Sequence, residues 1–204
     1  MVTRIDTTDR LLPAVFLDRD GTLNEEVGYL NHIDRLRIYP WAAEAIRKLN
    51  RAGVPAVVVT NQSGVGRGYF SEDLVLSVHS HIADQLASQG ARIDAFCYCP
   101  HHPDAIVAEY RRECRCRKPA PGMVEQAARD LRLDPQRSYV VGDTSRDLEL
   151  AYNVGARAAL VMTGYGRGVY EYRRHEWARQ PDLVVENVLE AVERILEEMG
   201  KNGG

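Results

Sequence analysis

A chain of 204 residues with 45% hydrophobic and 27% charged content has the apolar material for a folded core, which excludes a disordered chain or a small disulfide scaffold. Its formal net charge of −3 offers no global field for nucleic acid or an anionic membrane, and no run of 18 apolar residues provides a membrane span. Residues 1–13 are polar and charged, unlike a signal peptide, so the chain is expected to be cytoplasmic.

The first buried strand is expected at Ala14–Leu17, where apolar residues run without polar alternation. Asp18-Arg19-Asp20-Gly21-Thr22-Leu23 follows at once and sets two carboxylates at a carboxyl edge of the sheet, with Gly21 permitting a sharp turn. Residues 24–38 offer room for only a small flap, so no large cap domain is expected. A second strand over Ala56–Val59 runs into Thr60-Asn61-Gln62-Ser63-Gly64, whose hydroxyls, amides and exposed N–H groups suit an anion. Leu74, Val78, Ile82 and Leu86 then mark a helix between a Ser71 N-cap and a Gly90 stop.

The segment from Pro100 to Pro119 is too long for a routine loop of an α/β unit. Cys99-Pro100-His101 and Cys114-Arg115-Cys116 flank a twelve-residue interval within it. Three thiolates and one imidazole form the closed tetrahedral set of structural zinc; reduced surface cysteines or a stress-formed disulfide are the alternatives. Cys97 fits a strand, and His102 faces either the zinc or solvent. Zinc would fix the position of Arg117 and Lys118, which follow Cys116 directly. Beyond lie a helix from Pro121 to Leu131, a strand at Tyr139–Val141, and Gly142-Asp143-Thr144-Ser145-Arg146-Asp147 opening a helix that stops near Gly155. A strand at Ala158–Met162 precedes a last helix, where Asn187 and Glu190 have capping-box spacing.

This alternation predicts a three-layer, doubly wound parallel α/β sheet in one domain over 1–204, with a zinc-stabilised loop at about 99–116, and ligands bound outside the carboxyl ends of the strands. Acidic groups collected there, Asp18 and Asp20 with Asp143 and Asp147, need a cation, and oxygen ligands suit magnesium. Thr60, Asn61 and Lys118 add the parts of a phosphate site.

Asp18-x-Asp20-Gly-Thr, Thr60, Lys118 and Gly142-Asp143-x-x-x-Asp147, in that order, resemble the four motifs of the haloacid dehalogenase superfamily over nearly the whole chain. The resemblance implies the Rossmann-like fold of that superfamily and a phosphatase. Asp18 would take up phosphate as an aspartyl-phosphate, Asp20 would give and later accept a proton, and Thr60 and Lys118 would steady the charge. It further implies magnesium between Asp18, the backbone carbonyl of Asp20, and Asp143.

The cysteine loop, with Cys99-Pro-His-His-Pro and Cys116-Arg-Lys-Pro-x-Pro-Gly-Met, is similar to the branch of heptose-bisphosphate and histidinol-phosphate phosphatases, and closer to the former. That resemblance implies removal of the 7-phosphate of a heptose 1,7-bisphosphate, a small phosphorylated sugar. Glu26, Val27, Gly28 and Tyr29, with Thr60, Asn61, Gln62, Ser63, Arg117 and Lys118, would contact it, Arg117 gripping the second phosphate. Two positions depart from the heptose pattern: Thr144 stands where a lysine is common, with Arg67 or Arg146 available as compensating cations, and Gly66 stands where alanine is common. Histidinol phosphate is the alternative substrate. A zinc-stabilised nucleic-acid-binding module, built on Arg111, Arg112, Arg115, Arg117 and Lys118, is the non-enzymatic alternative and leaves both aspartate clusters unexplained. The chain is expected to act as a monomer, with neither nucleic acid nor membrane as partner.

Overall fold

The computed structural model describes residues 11–202. The outer bounds of the 1–204 domain and most of the leader-free reading of residues 1–13 lie outside the described residues.

Six strands form one sheet: β1 (Val15–Leu17), β2 (Ala56–Asn61), β3 (Ala95–Cys99), β4 (Tyr139–Gly142), β5 (Arg157–Val161) and β6 (Leu183–Val185). Their order is β3-β2-β1-β4-β5-β6, with every neighbouring pair parallel. The uninterrupted apolar runs follow from burial on both faces. Val15 and Leu17 pack into one hydrophobic cluster and Ala14 and Phe16 into the other, and all four have no exposed surface.

The first cluster is closed by α1 (Ala42–Arg51), α2 (Glu72–Ala87) and α6 (Val188–Asn202). The second is closed by α3 (Gly122–Leu131) and α4 (Ser145–Asn153), with Tyr170 of α5 (Gly166–Arg173) packing against it. The four helices expected from sequence are present: Ser71 caps α2, its Oγ accepting from Leu74 N at 3.3 Å, and Asn187 accepts from Leu189 N and Glu190 N at the start of α6. The Glu190 carboxylate returns to Glu186 N, one residue before the position a capping box requires. Three elements lay outside the sequence reading: α1, α5 and β6. The α1 stripe of Ala42, Ala45, Ile46 and Leu49 has helical spacing, and burying Ile46 and Leu49 contributes about 1.5–3 kcal/mol each.

The chain runs outward from β1 through β2 to β3, then returns to the other side of β1 for β4. Strand order therefore reverses at the β1–β4 pair, where Leu17 lies opposite Val141. A crevice opens at the carboxyl ends of such a pair, and the first residues beyond it are Asp18 and Asp143.

Candidate active site

Asp18 emerges from β1 with its N–H donated to Val141 O at 2.9 Å, which pins the nucleophile candidate to β4. One carboxylate oxygen lies 2.9 Å from Lys118 Nζ, which is itself 2.6 Å from Asp147 Oδ1. The lysine is only 3% exposed. Burial alone would lower its pKa, but Asp147 and Asp18 together hold it above its ordinary value, so it stays charged. Asp147 is fully engaged by its neighbours, since its other oxygen accepts from Thr144 N at 3.1 Å and Thr144 Oγ1 at 2.6 Å, which also caps α4.

Burial pushes the Asp18 carboxyl up to about 6, opposed by Lys118 and reinforced by Asp147. Asp143 is pushed up to about 8 by burial, then by the charges of Asp18 and Asp147. Three carboxylates whose oxygens lie within 4.8 Å of one another share one positive side chain, which is the electrostatic signature of a cation site. Asp147 being engaged, Asp18 and Asp143 are the acidic ligands left to a metal. The backbone fits this crowding: Gly21 has φ +78°, and a Cβ there would collide with the Asp143 carboxylate. Asp143 Oδ2 accepts from Tyr165 N at 2.8 Å.

Asp20 turns the other way. Arg19 Nη2 donates to both of its oxygens, at 3.0 and 2.8 Å, while Asn24 Nδ2 and Gln62 Nε2 each donate at 2.9 Å. Burial works against ionisation, yet Arg19 and these amides outweigh it and hold the carboxyl below its ordinary value. Its side chain is thus outside the Asp18–Asp143 group, and only its main chain is available to a metal there. Gln62 Nε2 also donates to Thr60 Oγ1 at 3.0 Å, leaving that buried hydroxyl its own proton to donate.

Asp18, Asp20, Thr60, Gln62, Lys118 and Asp143 line one cavity of ≈ 260 Å³ that is also lined by Glu26, Gly28, Tyr29, Asn61, Ser63, Thr144, Arg146 and Tyr165. Glu26 is pushed up to about 7 by burial and the neighbouring Asp20 charge. Two residues expected at the substrate are placed differently. Val27 does not line the cavity: its side chain packs against the core and its carbonyl accepts from Arg35 Nη2 at 3.1 Å. Arg117 lies behind the wall, half-buried, donating to His101 O at 3.2 Å. The Asn61 amide, read as an anion ligand, is committed on both sides to the main chain of Lys118. Sequence reasoning passed over Arg19, whose position between two motif aspartates is its only signal. It also passed over Tyr165, which follows β5 at the same sheet edge.

Cys99, His101, Cys114 and Cys116 converge behind this wall. The sulfurs lie 3.2–3.5 Å apart and His101 Nδ1 lies 3.6 and 3.3 Å from Cys99 and Cys116. A disulfide requires about 2.05 Å, whereas ligands at about 2.0–2.3 Å from a tetrahedral zinc have edges of about 3.5 Å. The donor set and spacing fit zinc. Hydrogen bonding with Cys99, then Cys114 and His101, pulls the Cys116 thiol down to about 5 against its burial. Cys97 packs beside the second hydrophobic cluster, and His102 stands outside the four-residue cluster, partly exposed, with its Nε2 3.0 Å from Arg67 Nη2. Gly66 permits this loop to close: a Cβ there would lie 2.9 Å from Pro100 O and 3.0 Å from Ala105 Cβ.

The doubly wound fold and the strand-end aspartates around a buried lysine define a haloacid dehalogenase-like phosphatase, a phosphoric monoester hydrolase. The HAD-hydrolase-like family model matches residues 115–191. A D-glycero-D-manno-heptose-1,7-bisphosphate 7-phosphatase from Thermosynechococcus vestitus is 44% identical over 187 residues, 90% of this chain and 95% of that one. The D-glycero-beta-D-manno-heptose-1,7-bisphosphate 7-phosphatase of Yersinia pestis is 45% identical over 155 residues, 75% of this chain and 82% of that one. The crystal structure of D,D-heptose 1,7-bisphosphate phosphatase from B. bronchiseptica, complexed with magnesium and phosphate, superposes with a TM-score of 0.81 at 33% identity, covering 92% of this chain and 99% of that one. The chain belongs to the heptose-1,7-bisphosphate 7-phosphatase family.

Proposed function

We propose that the chain hydrolyses the 7-phosphate of D-glycero-D-manno-heptose 1,7-bisphosphate, a step in making activated heptose for surface polysaccharide. The observation that carries this reading is Asp18 at the cavity floor, 2.9 Å from the buried Lys118 cation and facing Asp143. Together with a family name shared across relatives at 40–48% identity, it supports both chemistry and substrate.

A carboxylate oxygen of Asp18 attacks phosphorus, and the bond from phosphorus to the sugar oxygen breaks. That oxygen takes the proton of Asp20 as it leaves. Asp20 is held ionised by Arg19, so it enters this step protonated only because the arriving phosphate dianion raises its pKa. Water then attacks the aspartyl-phosphate, Asp20 takes a proton from it, and the phosphorus–oxygen bond to Asp18 breaks to regenerate the carboxylate. Lys118 and Thr60 offset charge on the phosphoryl oxygens. Asp18, Asp143 and the Asp20 main chain would hold magnesium, which would supply the positive charge that lets a dianion approach a carboxylate. Cys99, His101, Cys114 and Cys116 would hold zinc, which would fix the chain that delivers Lys118.

The second phosphate would face Arg146, which lines the cavity, with Arg117 and Arg67 outside the lining. None of these three pairs with a carboxylate of the described residues, and burial with the Arg146 and Arg67 charges holds Arg117 below its ordinary value. We read the chain as one monomeric cytoplasmic domain, with neither nucleic acid nor membrane as partner; no helix among the described residues is long and apolar enough to cross a membrane.

Magnesium-dependent phosphate release from both anomers of the heptose bisphosphate and from histidinol phosphate tests this reading, with Asp18→Asn as control. A kcat/KM at least about tenfold higher for a heptose bisphosphate, abolished in the control, is expected. Preference for histidinol phosphate would retain the chemistry and replace the substrate.

A further inference from the structure

Arg19 is among the largest fully buried side chains, at 1% exposure. Nε and Nη2 of its guanidinium grip Asp20, Nε at 3.3 Å from Oδ1 and Nη2 at both oxygens. Nη1 points the opposite way, into the packing between β1 and α2. Its one partner among the described residues is Nε2 of His79, at 3.4 Å. A buried guanidinium N–H left without an acceptor costs on the order of 1–3 kcal/mol, so the histidine holds the back of the clamp.

His79 sits on the inward stripe of α2 beside Val75, Val78 and Ile82, where an apolar residue fits the pattern, and is itself 5% exposed. Its ring is stacked on Phe96 at 4.8 Å and meets Tyr98 edge-on at 5.7 Å. Those contacts fix the ring plane and leave Nε2 aimed at Arg19. Beside a cation that nitrogen serves only as an acceptor, which places the ring proton on Nδ1.

We propose that His79 is a positioning residue for the reaction: a neutral acceptor that fixes the Arg19 guanidinium, through which it fixes the Asp20 carboxylate. It touches neither substrate nor metal. The inference rests on the acid–base role assigned above to Asp20. Burial, then the Arg19 charge, pushes His79 down to about 3, which keeps it an acceptor throughout the physiological range.

The test compares His79→Phe, which keeps an aromatic ring on Phe96 and removes the acceptor, with His79→Gln, whose side-chain oxygen restores it. Full-length, metal-loaded protein is assayed on the heptose bisphosphate. The phenylalanine variant is expected to lose about tenfold or more in kcat at unchanged KM, since misplacing a reacting group by about 1 Å costs up to 10²-fold. The glutamine variant is expected to recover most of it. Equal losses in both variants, or kcat within twofold of the parent in His79→Phe, would overturn the proposal. Nitrogen-15 NMR of the parent, which needs no variant to fold, adds an independent reading: His79 is expected as the Nδ1–H tautomer, and the Nε2–H tautomer or an imidazolium overturns the assignment. Asp20→Asn run alongside separates the two readings. Full activity in that variant would remove the acid–base role and the His79 proposal with it, whereas an inactive Asp20→Asn beside an unaffected His79→Phe removes the His79 proposal alone.

Discussion

Asn61 holds the main chain of Lys118 from both sides: its Oδ1 accepts from Lys118 N at 3.0 Å, and its Nδ2 donates to Lys118 O at 3.1 Å. The pair joins the end of β2 to the segment leaving the cysteine cluster, so the lysine has one anchor in the sheet and another in the loop. The side chain then enters the site already aligned with Asp18 and Asp147. Asn61→Ala is expected to lower kcat by about tenfold or more through Lys118 misplacement. It is also expected to destabilise the fold by about 1–3 kcal/mol from the unpaired main-chain groups. Steady-state kinetics and urea unfolding read the two effects separately. Parent-like kcat would show that the zinc loop alone sets the lysine.

In the proposed mechanism Asp20 is needed differently in the two chemical steps, and the leaving group distinguishes them. A sugar alkoxide needs the Asp20 proton, whereas p-nitrophenolate leaves without one. Asp20→Asn is expected to lose about 10²–10⁴-fold in turnover of the sugar phosphate. With p-nitrophenyl phosphate it should release about one equivalent of nitrophenolate rapidly and then stall, because no base remains to activate water. Stopped-flow absorbance measures the burst; its absence would place the carboxylate outside the second step.

The strands bearing the motifs were legible because buried parallel β-structure leaves uninterrupted apolar runs, as at Ala56–Val59, with chemistry-bearing residues directly after them. The cysteine cluster was legible because paired donors at short spacing have few other uses. The clamp on Asp20 was not legible. Arg19 and His79 lie 60 positions apart, and periodicity reports which face is buried, not which polar groups meet there. His79 interrupts an apolar stripe, a mark that identifies a buried polar residue without naming its partner. Val27 stands off the cavity for a related reason: in an irregular loop it packs against the core while Glu26 and Gly28 on either side line the cavity, and no period reveals this.

Zinc removal should act on Lys118 at a distance. With the four candidate ligands within 3.6 Å of their neighbours and Cys116 two residues before the lysine, release of a zinc ion held there is expected to free the 99–116 loop. Extended treatment with a strong zinc chelator, followed by restoration of magnesium, is expected to leave the protein inactive and lower its Tm by several degrees. Zinc readdition should restore both. Cys114→Ser is expected to reproduce the loss without chelator, read by metal analysis and kinetics together. Full activity in zinc-free protein would reduce the cluster to a stability element.

His79 also gives stability a pH dependence whose sign follows from its neutral buried form. Its pKa is about 3 when folded and 6.5 in the unfolded chain, so below 6.5 the unfolded chain binds a proton that the folded one refuses. The stabilisation is complete above pH 6.5 and is lost as pH falls toward 3, with a limiting slope of about 1.4 kcal/mol per unit. His79→Gln carries no such proton. Between pH 6.5 and 4.5 the parent is expected to lose about 2 kcal/mol more unfolding free energy than this variant, measured by urea denaturation in matched buffers. Parallel pH profiles would mean that the ring is protonated or solvated in the folded protein.

Arg146 is expected to bear on specificity without bearing on the chemical step. It is the second residue of α4, two after Thr144, and it lines the cavity while Arg117 stands behind the wall. A second phosphate entering this region meets three guanidinium charges with no carboxylate partner among the described residues, an arrangement that favours a dianion. Arg146→Ala is expected to raise KM for the heptose bisphosphate about tenfold and to leave kcat within about threefold. Turnover of a sugar 7-monophosphate, which lacks the second phosphate, should barely change. Both substrates losing equally would mean that Arg146 serves the reacting phosphate, and the binding site for the second phosphate would then have to lie along the Tyr29 and Tyr165 side of the cavity.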